Sequence, residues 1–249
     1  MPIIKQLIPV GLKQQGKYFL YDLLKIPYTR SGIPLEIAKW LPADKEISFI
    51  DIGASVGDFS DHLCQHYKIS KGILIEPLTK WIPLLEEKFP DKDIFKVINC
   101  VVSETNGSID FYISEEFDSI SSIFEIKSNI AELASINIQK PVSTKMDSKT
   151  LDAITAGQKL NKIDLIKIDV QGAEHEVLNG GKNTLLRTRL VYTEFSFKPL
   201  YEDSSTFFDL YKIFNENNFR MVSISKGYEN ANGELLQGDA LFVNNAFPD

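Results

Sequence analysis

Apolar residues in this chain follow two alternating periods. Mostly apolar runs at 47–52, 72–76, 94–102, 164–169 and 190–195 read as strands, whereas 58–67, 81–89, 149–156, 173–186 and 206–217 repeat apolar positions at helical intervals. The repeated strand–helix units predict an α/β fold: a mostly parallel sheet with helices on both faces. Residues 107–113 alternate instead, which predicts a β-extension after the third strand. A short strand is expected at 142–146, and the polar, Ser-rich stretch 118–137 has room for one short helix. Gly180 and Gly181 should break the helix over 173–186. Residues 219–225 and 240–244 flank a turn-rich segment, which predicts a closing antiparallel hairpin.

The first of these runs ends in F-I-D-I-G-A-S-V-G, residues 49–57. Glycines at a strand-to-helix turn let the backbone bend sharply and bring its N–H groups to a ligand, and the helix start adds a favourable field. Gly53, Ala54, Ser55 and Gly57 therefore line a candidate cleft behind Asp51. The second strand ends in Glu76-Pro77, about where a ribose-binding carboxylate belongs in such folds. Together they point to an adenosine-containing ligand. A nicotinamide dinucleotide is disfavoured, because the third glycine of G-x-G-x-x-G is missing.

The 249-residue length suits one large domain, 45–249, preceded by an N-terminal helical extension, 1–44. A net charge of −7 without a basic stripe argues against nucleic acid as partner and favours small molecules. Two cysteines far apart form no disulfide framework, and the interrupted apolar start matches no export signal, so a cytoplasmic setting is expected. No stretch reaches membrane-spanning length. An amphipathic helix over 12–25 is expected to pack on the main domain or on a second subunit, which leaves a homo-oligomer open.

The order of elements with the glycine turn resembles the class I S-adenosylmethionine-dependent methyltransferases, whose Rossmann-like, seven-stranded sheet ends in such a hairpin. A narrower resemblance lies in I-D-L-I-K-I-D-V-Q-G-A-E-H-E-V-L-N-G-G, residues 163–181, which is similar to the signature of FkbM-type methyltransferases. S-K-T-L-D-A-I at 148–154 and T-E-F-S-F-K-P-L-Y-E at 193–202 resemble further elements of that family. The similarity runs from about residue 32 to 244. Gln171 stands where many members carry Glu, which argues against a base at that position. The resemblance implies S-adenosyl-L-methionine as methyl donor. It also implies O-methylation of a hydroxyl, on a sugar, glycolipid or natural-product acceptor.

A sulfonium methyl is already activated, so the protein has to align the acceptor oxygen and remove its proton. Asp51 is expected near the donor's methionine part, Glu76 on the ribose, and Asn99 and Val101 beside the adenine. Asp169 and Glu194 end neighbouring strands and should open on the acceptor, with Asp169, Glu194 or His175 as base. The same carboxylates could hold Mg²⁺, but two are a thin ligand set, so the metal-free reading is favoured. His62 and His66 have the spacing of a helical metal pair but lack the glutamate of the zinc-protease motif, and are read as flanking a packed face. Lys167, between Ile166 and Ile168, is read as a structural partner of a carboxylate. Phe195, Phe197, Phe207 and Phe208 are read first as core. A non-catalytic cofactor-binding module or partner subunit is the rival to an enzyme.

Overall fold

The strand Ile47–Ile52 is buried at every position, as a central parallel strand must be. The computed structural model describes residues 33–41, 45–114, 121–125, 127, 141–158, 160–199, 201–230 and 232–247. In chain order the elements are α1 (Leu35–Trp40), β1 (Ile47–Ile52), α2 (Asp58–His66), β2 (Ile69–Ile75), a 3₁₀ turn (Thr79–Trp81), α3 (Ile82–Lys88), β3 (Phe95–Ile98), β4 (Val101–Val102) and β5 (Gly107–Ile113). There follow β6 (Val142–Lys149), α4 (Leu151–Ala156), β7 (Ile163–Ile168), α5 (Glu174–Asn179), α6 (Lys182–Leu185), β8 (Thr188–Ser196), α7 (Phe207–Glu216), β9 (Phe219–Lys226) and β10 (Gln237–Asn244).

Seven strands form one sheet in the order β3-β2-β1-β7-β8-β10-β9. Pairing is parallel from β3 to β8 and antiparallel through β10 and β9. The chain winds outward from β1 to β3 and returns on the other side at β7. The topological switch point therefore lies between β1 and β7, and their carboxyl ends are where such sheets bind ligands. This is a Rossmann-like, class I methyltransferase arrangement with the expected closing hairpin.

Alternate strand residues feed opposite layers. Ile50, Ile52, Ile166, Ile168 and Val191 pack with Val177, Leu178, Leu210 and Phe214 from α5 and α7. On the other face Ile47, Phe49, Leu165 and Leu190 pack with Leu63 of α2 and with Ile33, Ile37 and Leu41 around α1. The expected helix over 12–25 and the division at residue 44 lie outside the described residues, as does most of 118–137.

Several elements differ in detail from the sequence reading. The run 94–102 is two strands, because the chain leaves the main sheet at Asn99 and β4 joins a second, three-stranded sheet ordered β4-β6-β5. The helix expected over 81–89 opens with a 3₁₀ turn, which brings Pro83 into the first turn of α3, where no amide hydrogen is needed. Gly180 and Gly181 divide α5 from α6 as expected. A Cβ on Gly180 would lie 2.3 Å from the Ser103 carbonyl oxygen, so only glycine lets α5 end there. α7 starts in a capping box between Thr206 and Asp209.

The four phenylalanines do not all serve the core. Phe195 is buried and Phe207 packs against it, but Phe197 and Phe208 are exposed, Phe208 at 72%. Phe214, by contrast, is fully buried and stacks on Phe242 at 3.8 Å. Phe214→Ala is accordingly expected to cost about 3–5 kcal/mol and Phe208→Ala less than about 0.5 kcal/mol, both read from urea unfolding midpoints.

Candidate active site

The turn after β1 is left-handed at three places: Gly53 (φ 76°), Ser55 (φ 48°) and Gly57 (φ 81°). Gly53 is there for a second reason. A Cβ on it would lie 2.0 Å from the carbonyl oxygen of Asp169, so only glycine lets the ends of β1 and β7 meet this closely. Gly57 caps α2, and a Cβ on it would press on Leu85 and Phe89.

Glu76, just past β2, closes the turn from the other side. Its Oε2 accepts from the Ser55 amide at 2.7 Å and its Oε1 from the Leu78 amide at 2.8 Å. Each oxygen keeps a further lone pair, which suits the carboxylate to neighbouring hydroxyls. Burial pushes its pKa up, and the two amides pull it back. The Asn99 side-chain amide donates to the carbonyls of Glu76 and Pro77 at 2.9 and 2.8 Å, so Asn99 holds this loop in place.

Across the switch point, Lys167 lies opposite Asp51 in the parallel register. Its Nζ is 3.3 Å from Asp51 Oδ1 and 3.4 Å from Asp169 Oδ2, and it donates to the Gly53 carbonyl at 2.8 Å. Burial alone would depress the ammonium pKa, but the Asp51 and Asp169 carboxylates outweigh it and raise the group. Asp51 is fully buried and also accepts from Ser60 Oγ at 2.7 Å. Burial raises its pKa against the pull of Lys167 and Ser60.

Gln171 joins the remaining groups. Its Nε2 donates to Asp169 Oδ1 at 2.8 Å and to Glu194 Oε2 at 3.3 Å, and its Oε1 accepts from Tyr201 Oη at 3.2 Å. Its backbone is left-handed, φ 56°, an uncommon state for a residue with a Cβ. Glu174, at the start of α5, accepts from the amides of Val170 and Gly172 and so ties the same turn. Burial and neighbouring carboxylates push Glu194 up to about 9, Glu174 to about 7 and Asp239, directly across β10 from Glu194, to about 6.

A cavity runs between these two halves. One wall is Gly53, Ser55, Ile75, Glu76 and Pro77; another is Asp169, Val170, Gln171 and Ala173. Leu78, Trp81, Val101, Phe111 and Ile123 make an apolar side. Of the residues singled out from sequence, Gly53, Ser55, Glu76, Pro77, Val101 and Asp169 therefore share one cavity.

The others do not reach its wall. Asp51 is sealed beneath the turn by Lys167 and Ser60, so the structure gives it a partner in the core where the sequence suggested a ligand. Ala54 is buried beside Leu74 and Leu85, and Gly57 serves the helix start. Glu194 sits behind Gln171. His175 stacks on Phe124 with ring centroids 5.7 Å apart and lies 3.9 Å from Glu176, off the cavity wall. His62 and His66 flank buried Leu63, and the His66 ring lies 3.0 Å from the His62 carbonyl oxygen. Among the described residues no group of three or more His, Cys, Asp or Glu side chains could hold a metal ion.

Sequence reasoning missed Gln171 as a bridge, along with Trp81, Phe111 and Ile123. The last two come from the small sheet region, and the alternation at 107–113 identified a strand without saying what it covers.

The family model for the methyltransferase FkbM domain matches residues 51–221, more than half of the chain. A curated relative, 2-O-methyltransferase NoeI from Sinorhizobium fredii (strain NBRC 101917 / NGR234), is 29% identical over 205 residues, covering 80% of this chain and 83% of that one. The crystal structure of methyltransferase FkbM from Methylobacillus flagellatus KT superimposes with a TM-score of 0.55 at 16% identity. That match covers 88% of this chain and 48% of the solved one, so the chain spans about half of that protein's length. By the family match, the chain belongs to the FkbM methyltransferase family.

Proposed function

We propose that this protein transfers a methyl group from S-adenosyl-L-methionine to a hydroxyl of a sugar-type or other small polyhydroxylated acceptor. One observation carries this reading: the cavity joins a glycine turn and a buried ribose-type carboxylate, Glu76, to a second carboxylate, Asp169, held across the switch point. The name of the relative from Sinorhizobium fredii, a 2-O-methyltransferase, supports oxygen as the accepting atom. The non-catalytic alternative is disfavoured by the carboxylate and strained Gln171 on the cavity wall, which a purely structural module does not need.

The donor fits the residues present. Glu76 offers two free lone pairs to ribose hydroxyls, Leu78 and Val101 offer an apolar surface to the base, and Gly53 and Ser55 line the same wall for the methionine part. When bound, the donor supplies a methyl group already activated by its sulfonium. The chain's own work is to orient the acceptor hydroxyl and take its proton. Asp169 is the residue placed for both: Lys167 and Gln171 each hold one of its oxygens, which fixes the carboxylate while leaving a lone pair on each. Glu194 acts through Gln171. We assign no step to His175, and none to Mg²⁺, because the facing oxygens of Asp169 and Glu194 are bridged by an amide N–H group.

No helix among the described residues is long and apolar enough to cross a membrane. With Cys64 and Cys100 both free, we place the protein in the cytoplasm, acting on a small-molecule or glycan acceptor.

The reading is tested by incubating the protein with methyl-tritiated S-adenosylmethionine and a panel of glycosides, with Mg²⁺ or EDTA. Label should enter an alkali-stable ether equally in both; label in no acceptor would count against it. In calorimetric titration Glu76→Ala is expected to weaken donor binding about tenfold or more, and unchanged affinity would remove the ribose assignment. Asp169→Asn should bind the donor within about threefold of wild type while turnover falls about 10²–10⁴-fold; full activity would contradict its role.

Stability should also depend on pH. A carboxyl whose folded pKa is raised, as for Glu194 at about 9, binds protons more tightly folded than unfolded, so stability is lost as pH climbs from its ordinary value toward 9. The urea midpoint should fall over that window, and Glu194→Gln should flatten the fall. An equal slope in the variant would show that Glu194 is not the group responsible.

A further inference from the structure

We infer that Lys167 is a positioning residue of the methyl-transfer site, setting the donor turn and the acceptor carboxylate at a fixed separation. This rests on the donor reading above and goes beyond it. A buried lysine beside a buried aspartate is usually a core counterion, and Asp51 alone would satisfy that need. The distances say otherwise. The shortest contact of Lys167 Nζ is the 2.8 Å hydrogen bond to the Gly53 carbonyl, while the carboxylates of Asp51 and Asp169 lie at 3.3 and 3.4 Å.

The ammonium donates one hydrogen bond, to the Gly53 carbonyl, and forms ion pairs with the two carboxylates. Of these three oxygens, one belongs to the core, one to the donor turn, and one to the carboxylate on the opposite wall. The Gly53 carbonyl is available to Lys167 because the left-handed backbone at φ 76° turns the chain over the end of β7. Asp169 is pinned on its other oxygen by Gln171, so Lys167 and Gln171 together leave its carboxylate little freedom to rotate. Transfer needs the attacking oxygen in line with the donor within a fraction of an ångström, and a 1 Å misplacement can cost about a hundredfold. A single nitrogen hydrogen-bonded to one side of that gap and ion-paired with the other is a direct way to hold it.

The test separates positioning from mere charge balance. Lys167→Met alone would leave Asp51 as a buried, unpaired charge, so it is made together with Asp51→Leu, which removes both charges. Binding of S-adenosylhomocysteine is then titrated by calorimetry, and the urea midpoint is measured on the same samples. The expected result is a pair variant that unfolds near the wild-type midpoint yet binds S-adenosylhomocysteine about tenfold or more weakly. Wild-type affinity in that variant would reduce Lys167 to a core counterion.

Lys167→Arg serves if the pair variant does not fold. It keeps the charge, but a planar guanidinium cannot put one nitrogen at these distances from all three oxygens. A loss of about fivefold or more in affinity is expected from it, and unchanged affinity would overturn the inference. A wild-type protein that fails to bind S-adenosylhomocysteine would refute the donor reading itself, an outcome distinct from either.

Discussion

The whole site depends on one close approach, that of Gly53 to the carbonyl of Asp169 at the carboxyl ends of β1 and β7. Any side chain at 53 would drive the two strand ends apart, and with them the two halves of the cavity. The ladder between β1 and β7 runs without a shift up to this point and is continued by the Asp169 amide, which donates to the Ile52 carbonyl at 3.1 Å. Rigid strands thus deliver the glycine turn and the Asp169 carboxylate to the same place, and glycine lets the strand ends touch.

Placing charged groups at that junction is costly, and the structure offsets the cost by pairing. Asp51, Lys167 and Asp169 form one connected network, and Gln171 extends it to Glu194 and Tyr201. Beyond it Glu174 and Asp239 add more carboxylates, and Lys167 is the cation at the centre. The raised carboxyl groups are the visible consequence: burial first, then mutual repulsion, favours their neutral forms. A glutamate at 171 would add a further negative charge to this crowd. With glutamine there, an amide can donate to two carboxylates at once, which gives a physical reason for that residue in this chain.

The sheet was legible in the sequence because strands buried on both faces are rich in β-branched and other apolar residues, as β1, β2, β7 and β8 are. Glu76 was legible because its spacing after the glycine turn is fixed by one β–α–β unit. Asp51 was not, since its true partner is Lys167, more than a hundred residues away, and only the strand register brings them opposite each other. Gln171 looked like a lost charge because its bridging depends on a left-handed backbone angle that residue type does not announce. His175 shows the converse. Its place after Asp169 in sequence suggested the cavity, but α5 turns its ring onto Phe124. Trp81, Phe111 and Ile123 were invisible as wall residues because the small sheet's placement over the cavity is a tertiary matter.

A crystal structure of the protein soaked with S-adenosylhomocysteine would test the central claim most directly. The account predicts both ribose hydroxyls on Glu76, the base against Leu78 and Val101, and the thioether sulfur on the cavity side of the Gly53 turn, facing the Asp169 carboxylate. A ligand seated elsewhere, or one in this cavity whose ribose does not touch Glu76, would contradict it.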